Sequence, residues 1–216
     1  MDSIHRIKIC GLSRKEDVIL AAKLGAWALG FIFYKKSPRA ISMEQAKGLI
    51  DSLSEIKTDA KPKHLVGVFV NAPIDDIVNT CQIAGINTVQ LHGDEDPDYL
   101  DRLKERVDVP IIKVFRPKSE EDLRNIHAYN KADFFLIDAA VQGAYGGTGS
   151  LGNWKLVSIL KSQKPSILAG GINPDNIMEA FIKTKPFACD LSSSIEISPG
   201  VKNHKKMQTL FRAISV

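Results

Sequence analysis

Eight times along this 216-residue chain, a short run of β-branched and aromatic residues gives way to a longer stretch with helical periodicity. The strand-like runs are IHRIKIC (4–10), AWALGFIF (26–33), HLVGVFV (64–70), TVQLH (88–92), PIIKVF (110–115), FFLID (134–138), SILAG (166–170) and ACDLS (188–192). The helical stretches are SRKEDVILAAKLG, SMEQAKGLIDSL, APIDDIVNTCQIAG, DPDYLDRLKERV, SEEDLRNIHAYN, NWKLVSILKSQ, NPDNIMEAFIKT and NHKKMQTLFRAI. Such alternation demands a parallel sheet, because each return to the sheet crosses over through a helix. Eight units in about 200 residues match the compact end of the α/β class, a single (β/α)8 TIM barrel spanning 1–216 as one domain. The competing solution is an open doubly wound sheet. That fold carries G-x-G-x-x-G after its first strand, and CGLSRKE is not such a turn.

Local punctuation supports the helices. Ser13 and Gly25 stand where an N-cap and a stop belong, and Ser42 with Gln45 has capping-box spacing. Pro73, Pro97 and Pro174 lie near helix starts, where proline is tolerated. Charge narrows the partners. Against 29 Lys and Arg stand 25 Asp and Glu, too even a balance for nucleic acid, while small anions remain suitable ligands. Cys10, Cys81 and Cys189 are odd in number and far apart, which argues against a disulfide framework or zinc site and for a reducing, cytoplasmic setting. No run approaches the roughly 18 apolar residues of a membrane span, so no membrane partner is expected.

In a barrel of this kind, chemistry belongs to the C-terminal ends of the strands and the loops after them. Read in order, those ends offer Lys8 and Cys10, Arg39 of SPR (37–39), Asn71, QLHGDED from Gln90 through His92, Arg116, Asp138, Gly170–Gly171 and DLSSS (190–194). No convergent set of metal ligands is visible. After strands seven and eight, Gly170 and Gly171 with Ser192 and Ser193 read as a phosphate cradle. YGGTGS, with Gly147 and Gly149, opens on the same face. Cys10 and Asp138 end strands one and six, three steps apart in an eight-strand ring. That arrangement suits one group taking a proton while the other gives one. Taken alone, Cys10 reads as a buried packing residue, Asp138 as a cap or ion pair, and Arg39 as a solvated side chain. Arg39 is also the group best shaped to grip a carboxylate in two places.

Taken together, KICG, FxxxSPRxI (33–41), VGVFVN, VQLHG, IDA…GGTG, LAGGINPDN and DLSSSIE…PGVK resemble the phosphoribosylanthranilate isomerase family of tryptophan biosynthesis over nearly the whole chain. The resemblance implies a cofactor-free Amadori rearrangement of N-(5-phosphoribosyl)anthranilate to 1-(2-carboxyphenylamino)-1-deoxyribulose 5-phosphate. It assigns Cys10 as base, Asp138 as acid and Arg39 as receptor of the anthranilate carboxylate. Gly147, Gly149, Gly170, Gly171, Ser192 and Ser193 become the phosphate loops, with Lys8 and His92 lining the mouth. The expected partner is thus a small phosphosugar, and the chain acts as a monomer or a homodimer. Cys10 needs its pKa lowered modestly, with Lys8 as the neighbour able to help. Gly11 reads as room for substrate beside the thiol. The pattern departs at Ser194, where glycine is usual and where a positive φ would cost about 1–2 kcal/mol, at Gly152 and Asn153, and at Asn203. Two other functions compete. A lyase like indole-glycerol-phosphate synthase would need a strand-end lysine, for which Lys113 is the loose candidate. A phosphosugar-binding barrel without catalysis is the other.

Overall fold

The computed structural model of the chain describes residues 5–56, 61–139, 154 and 164–215. All eight expected strands form: β1 (Arg6–Ile9), β2 (Ala28–Ile32), β3 (His64–Phe69), β4 (Thr88–Leu91), β5 (Ile111–Phe115), β6 (Phe134–Asp138), β7 (Ser166–Ala169) and β8 (Ala188–Leu191). They close in chain order into a parallel barrel, with β1 paired to both β2 and β8. The helices are α1 (Lys15–Lys23), α2 (Met43–Asp51), α3 (Ile74–Ala84), α4 (Pro97–Lys104), α5 (Ile177–Thr184) and α6 (His204–Ile214). A short antiparallel pair, β9 (Glu196–Ser198) and β10 (Val201–Lys202), follows β8. No described helix is long and apolar enough to cross a membrane.

Strand parity divides the core in two. Cys10, Ala28, Val66, Val68, Ile112, Val114, Leu136, Ile167, Ala169 and Ala188 make one apolar cluster inside the barrel. The intervening residues, among them Ile7, Ile9, Leu29, Phe31, Leu91, Phe135, Ile137 and Leu191, pack outward against the helices. At the N-terminal end Trp27, His64, Phe134 and Phe187 close the barrel as an aromatic cluster, with Arg6 over the Phe187 ring. The opposite end is left to polar residues.

The local signals vary in outcome. Ser42 and Gln45 make the full capping box, and Asp96 caps α4 with Pro97 at its first position. Ser13, however, does not cap α1. Its hydroxyl donates to the Gly200 carbonyl at 2.8 Å, and Arg14 stands at the N-cap without a side-chain bond. The helix expected over SEEDLRNIHAYN is two 3₁₀ turns instead, Glu121–Leu123 and Ile126–Tyr129. Its buried apolar positions, Leu123 and Ile126, are three residues apart, which suits three residues per turn. The Asp122 carboxylate accepts the N–H groups of Lys118 and Ser119 and so holds the segment's entry. NWKLVSILKSQ lies outside the described residues except for Trp154, which is buried in the outer core.

Candidate active site

Inward parity brings Lys8 of β1, Cys10 just past its end and Asp190 of β8 into the barrel mouth, with Asp138 ending β6. Going round the closed ring from β1 through β8 and β7 to β6 takes three steps. The thiol's seat is made by a missing side chain: a Cβ on Gly30 of β2 would lie 2.8 Å from Cys10 Sγ. The backbone is held as well. Cys10 N–H donates to Leu191 O at 2.8 Å, and Cys10 O accepts from Lys202 Nζ at 2.6 Å. Burial pushes the thiol above its ordinary pKa, and Asp190 adds to the rise, while Lys8 and Lys202 oppose it. The expectation of a lowered thiol pKa is thus corrected: two cations face the sulfur, but loss of water outweighs them.

Lys8 is fully buried and donates to Asp190 Oδ2 at 2.9 Å, the residue opposite it in the β1–β8 register. Burial pushes Asp190 above the usual carboxylate range, and the charge of nearby Asp138 adds to this, against the pull of Lys8. Asp190 Oδ1 is buried and has no hydrogen-bond partner among the described residues.

Arg39 already grips a carboxylate of the protein. Its Nε donates to Glu196 Oε1 at 2.9 Å and its Nη2 to Oε2 at 2.7 Å. A guanidinium carries five N–H donors in a planar fork, so the edge facing away from Glu196 keeps donors for a second carboxylate. Lys202 anchors the cluster, reaching Glu196 Oε1 at 2.8 Å and Ser192 O at 3.3 Å besides Cys10 O. Asp17 in turn accepts the Lys202 backbone N–H and pairs with His204. Gly11, at φ +73°, is room for the protein itself. A Cβ there would come within 2.7 Å of Arg39 Cδ and 3.1 Å of Ser192 Oγ.

On the β3–β5 side, Gln90 Nε2 donates to His92 Nδ1 at 2.8 Å. His92 is pushed down to about 3 by burial and by Arg116, Lys8 and Lys113, so its imidazole is neutral near pH 7. Arg116 donates to the His92 carbonyl. Asn71, in the left-handed region at φ 49°, staples the β3 loop to the β4 loop through Glu95 and Asp94. Lys113 has outward parity, and its ammonium is spent on Glu95 Oε2 and Gly93 O.

Gly170 and Gly171 after β7 both have positive φ, and no described atom lies within 4 Å of where a Gly171 Cβ would be. Ser192 and Ser193 lead from β8 into the 3₁₀ turn Ser193–Ile195. Ser194 sits in that turn and is not among the residues of positive φ, so the strain expected there is absent. Asn203 serves as the cap of α6, accepting from Lys206 N. Gly147, Gly149, Gly152 and Asn153 lie outside the described residues. Sequence reasoning gave no role to Gly30, Asp190, Glu196 or Lys202. Parity along β8 was a usable signal for Asp190, and Glu196 and Lys202 stand within DLSSSIE…PGVK, the motif that carries the resemblance; nothing local marks Gly30.

A family model described as N-(5'phosphoribosyl)anthranilate (PRA) isomerase matches residues 7–213. The N-(5'-phosphoribosyl)anthranilate isomerase of Geobacter sulfurreducens is 41% identical over 208 residues, 96% of this chain and 97% of that protein. Among solved structures, phosphoribosyl anthranilate isomerase from Thermotoga maritima matches with a TM-score of 0.85 and 31% identity over 98% of each chain. A phosphoribosyl anthranilate isomerase in complex with reduced 1-(o-carboxyphenylamino)-1-deoxyribulose 5-phosphate matches with a TM-score of 0.81, also at 31% identity over 98% of each chain.

Proposed function

The chain belongs to the N-(5'-phosphoribosyl)anthranilate isomerase family, enzymes of tryptophan biosynthesis, and from that premise we propose that Cys10 is its general base and Asp138 its general acid. The observation that carries this reading is a buried, inward-facing thiol at the end of β1, with a carboxyl ending β6 on the same rim.

In this scheme Asp138 in its acid form gives a proton to the furanose ring oxygen. The C1–O bond breaks as the anilino nitrogen lone pair forms the C1=N bond of an iminium. Cys10 as thiolate removes the C2 proton, and the C–H electrons form C1=C2 while the C=N pair returns to nitrogen. The resulting enolamine becomes the ketoamine when the thiol returns its proton to C1 and the Asp138 carboxylate takes the enol proton. Both groups end as they began, so atoms and charge balance without a cofactor. A buried thiol is a sparse thiolate but a strong base, which suits abstraction from carbon.

Arg39 binds the anthranilate carboxylate through the guanidinium edge that Glu196 leaves open. Gly170, Gly171, Ser192 and Ser193 hold the phosphate, together with Gly147 and Gly149. His92, neutral, and Lys8 line the mouth. The synthase-like alternative loses its support, because Lys113 points away from the barrel interior and is tied to Glu95.

The test is the fluorescence decay of the anthranilate substrate. Cys10→Ser and Asp138→Asn each lower kcat by about 10²–10⁴-fold, while binding of the reduced product analogue stays within a few-fold. Near-normal turnover in either variant overturns the assignment. Tight binding without turnover in the wild-type protein favours the non-catalytic barrel.

A further inference from the structure

The proton transfers above make no use of the charge pair beneath the thiol. Lys8 and Asp190 face each other across the β1–β8 register, with Nζ and Oδ2 2.9 Å apart and the lysine fully buried. Cys10 is two residues on from Lys8, just past the end of β1, and so turns to the same face. An ammonium has three N–H donors. Asp190 is the sole oxygen acceptor for Lys8 among the described residues, and its charge also bears on the Cys10 sulfur.

The other charges near the thiol are differently committed. Lys202 of β10 spends its donors on three oxygens, those of Cys10, Ser192 and Glu196. Arg39, from the loop after β2, is held by Glu196. Asp138 of β6 adds its charge to that of Asp190. Lys8, bonded to a single oxygen and in hydrogen-bonding reach of Cys10, keeps donors for a thiolate, whereas the free edge of Arg39 is left to a substrate carboxylate. Asp190, whose Oδ1 is buried and without a hydrogen-bond partner among the described residues, draws on Lys202 only through charge and competes with the sulfur for the Lys8 ammonium.

We propose that Lys8 and Asp190 are a positioning pair for Cys10, in which Lys8 is the counter-ion of the thiolate and Asp190 limits how much of that charge the sulfur receives. The inference rests on the reading of Cys10 as the base. It gives the two halves of one ion pair opposite effects on the same atom. Removing Asp190's negative charge favours the thiolate; removing Lys8's positive charge disfavours it.

The experiment is the pH dependence of iodoacetamide alkylation of Cys10 in the full-length protein, followed on the Cys10 peptide by mass spectrometry. Asp190→Asn moves the midpoint down by about one pH unit and Lys8→Met moves it up by about one, as expected for a single charge at close range. A purely structural role would loosen the site in both variants and shift both midpoints the same way. A common direction, or a midpoint unmoved in either variant, overturns the proposal. Should Lys8→Met fail to fold, the double variant Lys8→Met/Asp190→Asn replaces it, and its midpoint must lie above that of Asp190→Asn alone. Alkylation reads the sulfur whether or not it is the base, which keeps the two readings apart. Opposed midpoints with normal turnover in Cys10→Ser sink the base assignment. Unmoved midpoints with an inactive Cys10→Ser sink the pair.

Discussion

Lys113–Glu95 and Lys8–Asp190 are both buried lysine–carboxylate pairs, and they are finished differently. The first lies on the outer side of β5, 2.7 Å apart with side chains 3% and 1% exposed. Glu95 also accepts the N–H groups of Asn71 and Gly93, and Lys113 adds a bond to the Gly93 carbonyl beside the Tyr129 ring. The second lies inside the barrel, and one of its two carboxylate oxygens has no hydrogen-bond partner among the described residues. Taking charges out of water costs several kcal/mol each, recovered only when the remaining lone pairs and protons are also bonded. Lys113–Glu95 meets that condition and fastens the loops after β3 and β4 to β5. Among the described residues Lys8–Asp190 falls one bond short, next to a thiol. A completed pair works as a fastener, and an incomplete one at the mouth remains a charge that other groups can share.

The largest effect expected from this contrast is on stability. Lys113→Met strands a buried carboxylate amid fixed N–H donors and costs about 3–5 kcal/mol in urea unfolding, with the Cys10 alkylation midpoint unchanged. Lys8→Met costs less, about 1–3 kcal/mol, because burial favours the neutral carboxyl at Asp190, which takes up a proton once the lysine charge is gone. Equal losses, or a larger one for Lys8→Met, would erase the distinction. Gly30→Ala then sharpens the mouth side. Its new methyl would lie 2.8 Å from Cys10 Sγ, and displacing the thiol lowers kcat by about 10-fold or more. Unchanged kcat would mean that the sulfur's position is not critical.

The smallest effect is read at His92, on which both lysines act. Its folded midpoint of about 3 lies below the ordinary 6.5. As the pH falls the unfolded chain therefore takes up the proton first, and stability present above pH 6.5 is lost between there and about 3. Either lysine variant raises the His92 midpoint in an NMR titration, Lys8→Met more than Lys113→Met, following the order of their influence. A midpoint that moves in neither variant removes His92 from the reach of both pairs.

Much of this was legible before any coordinates. Periodicity of two and of 3.6 lies within a few neighbouring residues, so the strands and most described helices could be read directly, as could the Ser42–Gln45 box. Counting strands also brought Cys10 and Asp138 to one rim. The failures were of another kind. Ser13 is an ordinary cap by sequence, yet its hydroxyl goes to Gly200. The segment 119–130 has helical composition, yet it folds as two 3₁₀ turns that bury Leu123 and Ile126.

What the sequence by itself determined is the order of elements, the barrel they close into, and which strand ends carry a thiol, a carboxyl and an arginine. These follow from short-range preferences repeated eight times, summed with the need to bury one face of each element. Only the tertiary structure decided what state those groups are in. It set Glu196 on Arg39, 157 positions away, Asp190 on Lys8, 182 positions away, and enough burial around Cys10 to raise the thiol rather than lower it. Charge and desolvation depend on every atom within several ångströms, whatever its place in the chain, and no local pattern encodes that sum.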